Sequence, residues 1–147
     1  MHKPANDPND LEKYFVERAN AGDVEGLVAL YEPNAIVAGD DGEIAIGLNQ
    51  IREFFIKFLA DRPQLDPSTQ AAALRSGDLA LTSSRLSNGD ITAEIARRRP
   101  DGSWLWVVDR FALGTERSPR SFLGSRHSHK SDFCVGKGEG REMKKCS

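Results

Sequence analysis

Thiol and imidazole side chains are absent from this 147-residue chain between residues 3 and 113. The cysteines and histidines that the chain does contain are Cys134, Cys146, His2, His127 and His129. Disulfide frameworks, zinc sites and Ser-His or Cys-His catalytic pairs all need such side chains within the folded part of a protein. The composition therefore excludes these sites for residues 3–113, and we predict no metal.

Two glycine-rich phosphate-binding patterns, G-x-x-x-x-G-K-[ST] and G-x-G-x-x-G after a strand, are also missing. No apolar run is long enough for a membrane span or, near the start, for a secretory signal. We therefore expect no cofactor and no membrane association, and we predict that the protein is cytoplasmic.

Charge is distributed unevenly along the chain, although the formal net charge is only -2. Up to Leu113 there are 12 Lys and Arg against 18 Asp and Glu, whereas the remaining residues carry 8 against 4. The acidic body gives no electrostatic reason to bind nucleic acid. The polar, basic end has the composition of a disordered segment. We predict a flexible N-terminus at 1–8, one domain at 9–113 and a disordered basic tail at 114–147.

Three short helices are predicted in the first part of the chain. Asn9 and Glu12 have capping-box spacing at the start of the first helix, whose apolar face comprises Leu11, Tyr14, Phe15 and Ala19. Asp23 is placed to cap a second helix, whose apolar spacing continues to Tyr31 and which Pro33 ends. The third helix follows Gly47, and its apolar stripe comprises Ile51, Phe54, Phe55, Phe58 and Leu59.

Strands dominate the rest of the sequence. A hairpin is predicted over 34–38 and 43–46, around the turn Gly39-Asp40-Asp41-Gly42. Turn sequences then separate four strand-like segments near 69–76, 79–87, 91–99 and 103–112, which indicates an antiparallel meander. Helices first and strands later favour the α+β class.

The last predicted strand is apolar on both faces. Alternation places Asp109 on the same face as Leu105, Val107 and Phe111, opposite Trp104, Trp106, Val108 and Arg110. The helices can cover only one face of the sheet, so we expect the other to form a homodimer interface. Cover by the tail or by a neighbouring loop is the alternative.

Five fragments together resemble the nuclear-transport-factor-2-like superfamily, and in particular its SnoaL-like and ketosteroid-isomerase-like branch. The fragments are 21–31, 34–37, Gly47 with 51–55, 76–81 and 100–104. The resemblance implies three helices packed on a strongly curved, mostly antiparallel sheet, which together form a cone with a central pocket. It also implies a small apolar ligand in that pocket.

In the steroid isomerases of this branch, a tyrosine and a protonated acid bind an oxyanion while an aspartate moves a proton. By resemblance, Tyr14 takes the place of the tyrosine and Glu94 that of the protonated acid. The position of the base falls on Gly39, with Asp40 one residue later. Ordinary alternation would turn Glu94 outward, and it would also turn Asp40 away from the pocket unless the hairpin is bulged. Asp40 is most simply interpreted as a turn residue.

Asp109 is the acid that the residue pattern itself favours, because its predicted neighbours on the strand are apolar. Such surroundings raise the pKa of a carboxyl group and suit a proton-transfer role. An ion pair with Arg97 or Arg110 at the end of the strand is the structural alternative. The side chains expected to line the pocket are Phe15, Tyr31, Phe54, Phe58, Leu105, Val107 and Phe111.

Two functions therefore stay open. The first is cofactor-free acid/base chemistry on a small apolar molecule, as in an isomerase, dehydratase or cyclase. The second is a non-catalytic module that binds a small ligand and dimerises through its sheet.

Overall fold

The computed structural model describes residues 1–113. Helices α1 (Asp10–Asn20) and α2 (Val24–Val28) come first, and helix α3 (Gly47–Phe58) follows the hairpin of strands β1 (Tyr31–Ala38) and β2 (Ile44–Ile46). The remaining strands are β3 (Thr69–Gln70), β4 (Leu74–Ser76), β5 (Leu79–Thr82), β6 (Ser84–Arg85), β7 (Ala93–Arg98) and β8 (Trp104–Arg110). The predicted α+β order is confirmed, and the predicted tail at 114–147 lies outside the described residues.

The main sheet has six strands in the order β2-β1-β8-β7-β5-β4, and β3 pairs with β6 in a separate two-stranded sheet. Neighbouring strands of the main sheet are antiparallel except β1 and β8, which are parallel. Helices α1 and α3 pack on one face of this sheet through aromatic contacts. Phe15 of α1 lies 6.0 Å from Trp106, and Phe55 of α3 lies 5.7 Å from Tyr31, between ring centroids.

The second helix is shorter than predicted. Asp23 caps it as expected, because its Oδ1 accepts a hydrogen bond of 2.8 Å from the Gly26 N–H. However, the helix ends at Val28, and Tyr31 begins a strand, so the helical assignment of Tyr31 is wrong. Pro33 lies within β1, where the pairing with β8 is irregular between Tyr31 and Ile36. Such an irregularity tolerates the missing N–H of proline.

The side chain of Asn9 does not cap α1. Its Nδ2 donates hydrogen bonds to Gln70 Oε1 and to the Ala71 carbonyl oxygen, and its Oδ1 accepts one from the Ala73 N–H. The predicted capping box is therefore wrong, since Asn9 ties the start of α1 to the segment around β3.

The N-terminal segment packs against the domain. Ala5 is buried, and its carbonyl oxygen accepts a hydrogen bond of 2.8 Å from the Trp104 N–H. Arg18 of α1 donates to the Lys3 carbonyl oxygen at 2.7 Å. The prediction of a flexible segment at 1–8 therefore overlooked contacts that extend the domain toward the N-terminus.

A β-bulge changes the alternation of β8. Ile95 pairs with Val108 and Ala96 with Trp106, so Val107 is an extra residue between two paired positions. A bulge of this kind brings residues on either side of it, otherwise out of phase, onto one face. Trp106 and Asp109 are both buried, and Leu105 and Val107 are partly exposed. The predicted grouping of Asp109 with Leu105 and Val107 is therefore wrong.

Candidate active site

A cavity of about 270 Å³ lies between α1, the end of α3 and the sheet. Four aromatic side chains form its apolar wall: Phe15, Phe58, Trp106 and Phe111. For comparison, a dry apolar cavity of about 150 Å³ binds benzene. The volume therefore suits a molecule of one to two rings.

Two carboxyl groups face this cavity from neighbouring strands. Glu94 of β7 pairs directly with Asp109 of β8, and both side chains line the cavity. Glu94 is 2% exposed and Asp109 is 4% exposed. Both belong to a transverse row of paired residues on the helix-covered face, which we call the inner row: Ala45, Val37, Asp109, Glu94 and Thr82.

Burial sets the protonation of this pair, because it disfavours the charged form of an acid. It raises the pKa of Glu94 to about 7, while the hydroxyl hydrogen bonds to that carboxyl oppose the rise. Burial also raises the pKa of Asp109 well above its usual value, and the charge of Glu94 adds to the effect. Burial therefore favours the neutral form of both acids, and the pKa of Glu94 lies near neutral pH.

Hydroxyl groups hold both carboxyl groups in place. The Tyr31 hydroxyl donates a hydrogen bond to Oδ2 of Asp109. The Thr82 hydroxyl donates one of 2.6 Å to Oε2 of Glu94, and it accepts one of 3.3 Å from Nε1 of Trp106. Asp109 and Glu94 thus have fixed orientations toward the cavity.

A third buried acid, Glu12 of α1, lines the same cavity. Its Oε1 accepts a hydrogen bond of 3.0 Å from the Ser68 hydroxyl, and burial raises its pKa. The charge of Glu12 contributes to the raised pKa values of Glu94 and Asp109, which places the three groups within electrostatic reach of each other. Sequence reasoning assigned Glu12 to a capping box and missed this position.

The predicted catalytic residues are only partly brought together. Asp109 and Glu94 line the cavity, and exposed Asp40 lies at its rim. Glu94 points inward although alternation predicted the opposite, because Ile95, rather than Glu94, lies on the exposed face. Asp40 also lines the cavity, although alternation along an unbulged hairpin would have turned it away.

Tyr14 does not line the cavity. Its buried ring lies under two cations, 5.2 Å from the Arg18 guanidinium carbon and 5.9 Å from the Lys3 ammonium, measured to the ring centroid. Tyr14 is two residues from Glu12 on α1, and side chains at that spacing do not share a helix face. The oxyanion role implied for Tyr14 is therefore not supported by its position.

Only some of the side chains predicted to line the pocket do so in the structure. Phe15, Phe58 and Phe111 form the aromatic wall, whereas Leu105 and Val107 are not among the lining side chains. Phe54 packs behind the wall, 5.2 Å from Phe111 between ring centroids. Tyr31 also lies behind it and reaches the site through Asp109.

The sequence prediction missed Glu12, Val16 and Thr82 as site residues, and only the first two lie in a sequence pattern that could have indicated their position. Glu12, Phe15 and Val16 follow the i, i+3, i+4 spacing of one helix face, which would have placed Glu12 on an apolar stripe. Thr82 has no such signal, because its role depends on the register between β5 and β7.

No group of three or more His, Cys, Asp or Glu side chains within residues 1–113 is arranged to hold a metal ion. None of the helices in this range is long and apolar enough to cross a membrane.

Comparisons with known proteins identify the family. The model of the SnoaL-like domain family matches residues 11–117, which is more than half of the chain. The chain therefore belongs to the SnoaL-like domain family. A search of curated proteins finds no match.

Solved structures share the fold at low sequence identity. A ketosteroid isomerase-like protein from Erwinia carotovora is 15% identical, with a TM-score of 0.56 over 69% of this chain and 89% of that chain. A nuclear-transport-factor-2-like protein of unknown function from Shewanella oneidensis is 17% identical, with a TM-score of 0.56 over 69% and 93%. A cystatin-like protein of unknown function from Nostoc punctiforme is 19% identical, with a TM-score of 0.56 over 69% and 84%. At these identities the likeness shows the fold alone.

Proposed function

We propose that the cavity binds a small, largely apolar carbonyl compound and that Glu94 moves a proton on it, with Asp109 as a hydrogen-bond donor and without a cofactor. The observation that carries this proposal is the pairing of two buried carboxyl groups, from adjacent strands, at one aromatic cavity. An acid/base catalyst works best when its pKa lies near the working pH, and the pKa of Glu94 is about 7.

The two acids take different roles in this proposal. The Glu94 carboxylate accepts a proton from the carbon next to the carbonyl group. The Asp109 carboxyl, in the neutral form that its burial favours, donates a hydrogen bond to the carbonyl oxygen as negative charge develops on it. Glu94 then returns its proton to the same carbon or to a conjugated one, and only return to a conjugated carbon gives an isomer. Tyr31 keeps Asp109 oriented during both steps.

Deuterium exchange at the α carbon of β-tetralone, a two-ring ketone, tests the first step directly. We expect the wild-type protein to exchange these protons faster than buffer, and Glu94→Gln to lose at least about a hundredfold of the rate, as general-base catalysts do. Asp101→Asn, in the exposed turn before β8, is the control and keeps the wild-type rate. Exchange in Glu94→Gln at the wild-type rate would contradict the proposal.

The alternative function is ligand binding without catalysis. It shares the cavity and its apolar wall, and it predicts that the wild-type protein binds β-tetralone yet exchanges its protons only at the buffer rate. The same experiment, with binding measured by calorimetry, therefore separates the two functions.

We also propose that a second copy of the chain covers the outer face of the sheet. An unbroken row of large aliphatic residues crosses all six strands there, and we call it the outer row: Ile46, Ile36, Val108, Ile95, Leu81 and Leu74. All six are exposed. At the usual strand spacing the row spans about 24 Å, a width that suits a standard dimer interface.

A two-fold axis would place the outer row of one chain against that of the other. Sedimentation at rising protein concentration tests this arrangement, and we expect a species of twice the 16.2 kDa chain mass. A single species of the chain mass at all concentrations would contradict the dimer, while leaving the cavity function untouched.

A further inference from the structure

Within residues 1–113, the titratable side chains that line the cavity are all acids. Among residues 1–113, the lining side chains include no lysine, arginine or histidine. They do include six carboxyl groups: Glu12, Asp40, Asp66, Asp90, Glu94 and Asp109. A site built for an anion would present cationic side chains instead, so the acids of this lining favour a positively charged ligand.

The deepest of these acids have only neutral protein partners. None of the ion pairs within the described part of the chain involves Glu12, Glu94 or Asp109. Glu12 accepts one hydrogen bond from residues 1–113, at Oε1 from the Ser68 hydroxyl. Asp109 also accepts one, at Oδ2 from the Tyr31 hydroxyl. The second oxygen of each group receives no hydrogen bond from residues 1–113, and since no buried side-chain oxygen in this range lacks a partner, both oxygens keep some accessible surface. These two oxygens belong to side chains that line the cavity.

The aromatic wall is an independent feature that suits the same ligand. The aromatic side chains of Phe15, Phe58, Trp106 and Phe111 line the cavity. Aromatic faces attract organic cations and also bury an apolar body. A compact metal ion is disfavoured, since no three acids in residues 1–113 converge as metal ligands.

We propose that the substrate is a carbonyl compound that also bears a protonated amine, and that Glu12 binds this amine. The inference rests on the proposed function, and it adds the substrate class and a specificity-determining residue. An ammonium group supplies up to three donors, whereas the Ser68 hydroxyl fills only one of about four acceptor positions of the Glu12 carboxylate.

The three acids lie on different elements, which allows Glu12 to bind the amine while Glu94 and Asp109 act on the carbonyl group. Glu94 and Asp109 are neighbours in the sheet, whereas Glu12 comes from α1 and so faces the cavity from another side. An amine held by Glu12 leaves Glu94 and Asp109 available to the carbonyl end of the same molecule. Charge on the amine also stabilises the ionised form of each acid that it approaches.

Three probes with one phenethyl body test the proposal on the full chain: 2-phenylethylamine, 2-phenylethanol and phenylacetate, with affinity measured by calorimetry. We expect the amine to bind at least tenfold tighter than the alcohol, and phenylacetate to bind weakest. Glu12→Gln removes the preference for the amine and leaves the alcohol unchanged. Glu12→Asp keeps the charge and retains a preference for the amine. Glu17→Gln, on the exposed side of the same helix, is the matched control and behaves as wild type.

Each contrary result has a separate meaning. Equal binding of amine and alcohol by the wild-type protein, or tighter binding of phenylacetate, overturns the amine inference but leaves a small-molecule site in place. A preference for the amine that persists in Glu12→Gln overturns the role of Glu12. Binding of none of the three probes overturns this inference, whereas the proposed function fails if β-tetralone is not exchanged faster than in buffer. Thermal melting of each variant checks that it is folded.

Discussion

The outer and inner rows of the main sheet lie one residue apart on every strand that they share, and their composition is the reverse of what burial alone would select. The outer row is wholly aliphatic, and its members are 37–69% exposed. The inner row is covered by the helices, yet it contains Asp109, Glu94 and Thr82. Buried acids without ion-pair partners lower the stability of a fold, and exposed aliphatic rows lower its solubility.

The difference in composition indicates that the outer row contacts another apolar surface, whereas the acids of the inner row contact a bound molecule. Aliphatic side chains in contact with water are stabilised when another apolar surface covers them, as the proposed dimer would do. Acids in an aromatic cavity do not gain from such cover. Their presence is explained by chemistry on a bound molecule, since perturbed carboxyl groups gather at functional sites.

The largest expected effect comes from introducing a charge on each face of β7 in turn. Ala96 is 0% exposed and faces the helices, so Ala96→Asp buries an unpaired charge and costs about 3–5 kcal/mol of unfolding free energy. Ile95→Asp, one residue earlier, changes the stability of the single chain by less than about 1 kcal/mol but dissociates the dimer. Urea unfolding and sedimentation measure the two effects.

Equal losses of stability in Ala96→Asp and Ile95→Asp would remove the distinction between the faces. A dimer that survives Ile95→Asp unchanged would mean that the outer row is not its interface.

The second prediction concerns pH and the inner row. The pKa of Glu94 rises from its usual 4.5 to about 7 on folding, so the folded protein binds more protons than the unfolded chain in that range. Stability contributed by the neutral form is complete below pH 4.5 and is lost as the pH rises through 7. Glu94→Gln removes this dependence, which is on the order of 2–3 kcal/mol.

Urea unfolding at intervals from pH 4.5 to 8 measures this difference between wild type and variant. Asp109 shifts in the same direction, so part of the slope remains in Glu94→Gln. Glu17→Gln serves again as the control, and its curve follows that of wild type. Parallel curves for Glu94→Gln and wild type would show that Glu94 ionises normally in the folded protein.

Local signals account for the parts of the fold that the sequence predicted well. The cap at Asp23 and the turn at 39–42 depend on residues a few positions apart, and both are present in the structure. The order of helices and strands also follows from local periodicity. The family resemblance then supplied the curved sheet, which no local pattern encodes.

The site was harder to predict because it depends on register between strands. The extra residue Val107 cannot be recognised from a strand that is apolar on both faces, yet it determines the direction of Asp109. The polarity of the residues also gave the wrong orientation for β7. Ile95 is more apolar than Glu94, so alternation assigns Ile95 to the interior, although the outer face is itself apolar.

A smaller effect is expected from Tyr31→Phe, which removes the hydroxyl bound to Asp109. This hydrogen bond lowers the pKa of Asp109, so its loss raises that pKa further. We expect a loss of about 1 kcal/mol in stability and a reduced exchange rate with β-tetralone. Carbon-13 resonances of the aspartate carboxyl groups report the shift. An unchanged Asp109 titration would show that Tyr31 does not position this acid.

The smallest effect is expected from Tyr14→Phe, although the family resemblance gives Tyr14 a catalytic role. Phenylalanine keeps the ring beneath Arg18, and no lining side chain of the cavity changes. Exchange rate and probe affinity should therefore stay within about twofold of wild type, and stability within about 0.5 kcal/mol. A hundredfold loss of exchange would mean that the Tyr14 hydroxyl reaches the substrate. The oxyanion would then be held from α1 as well as from the inner row, and the chemical difference between the two faces of the sheet would no longer locate the whole site.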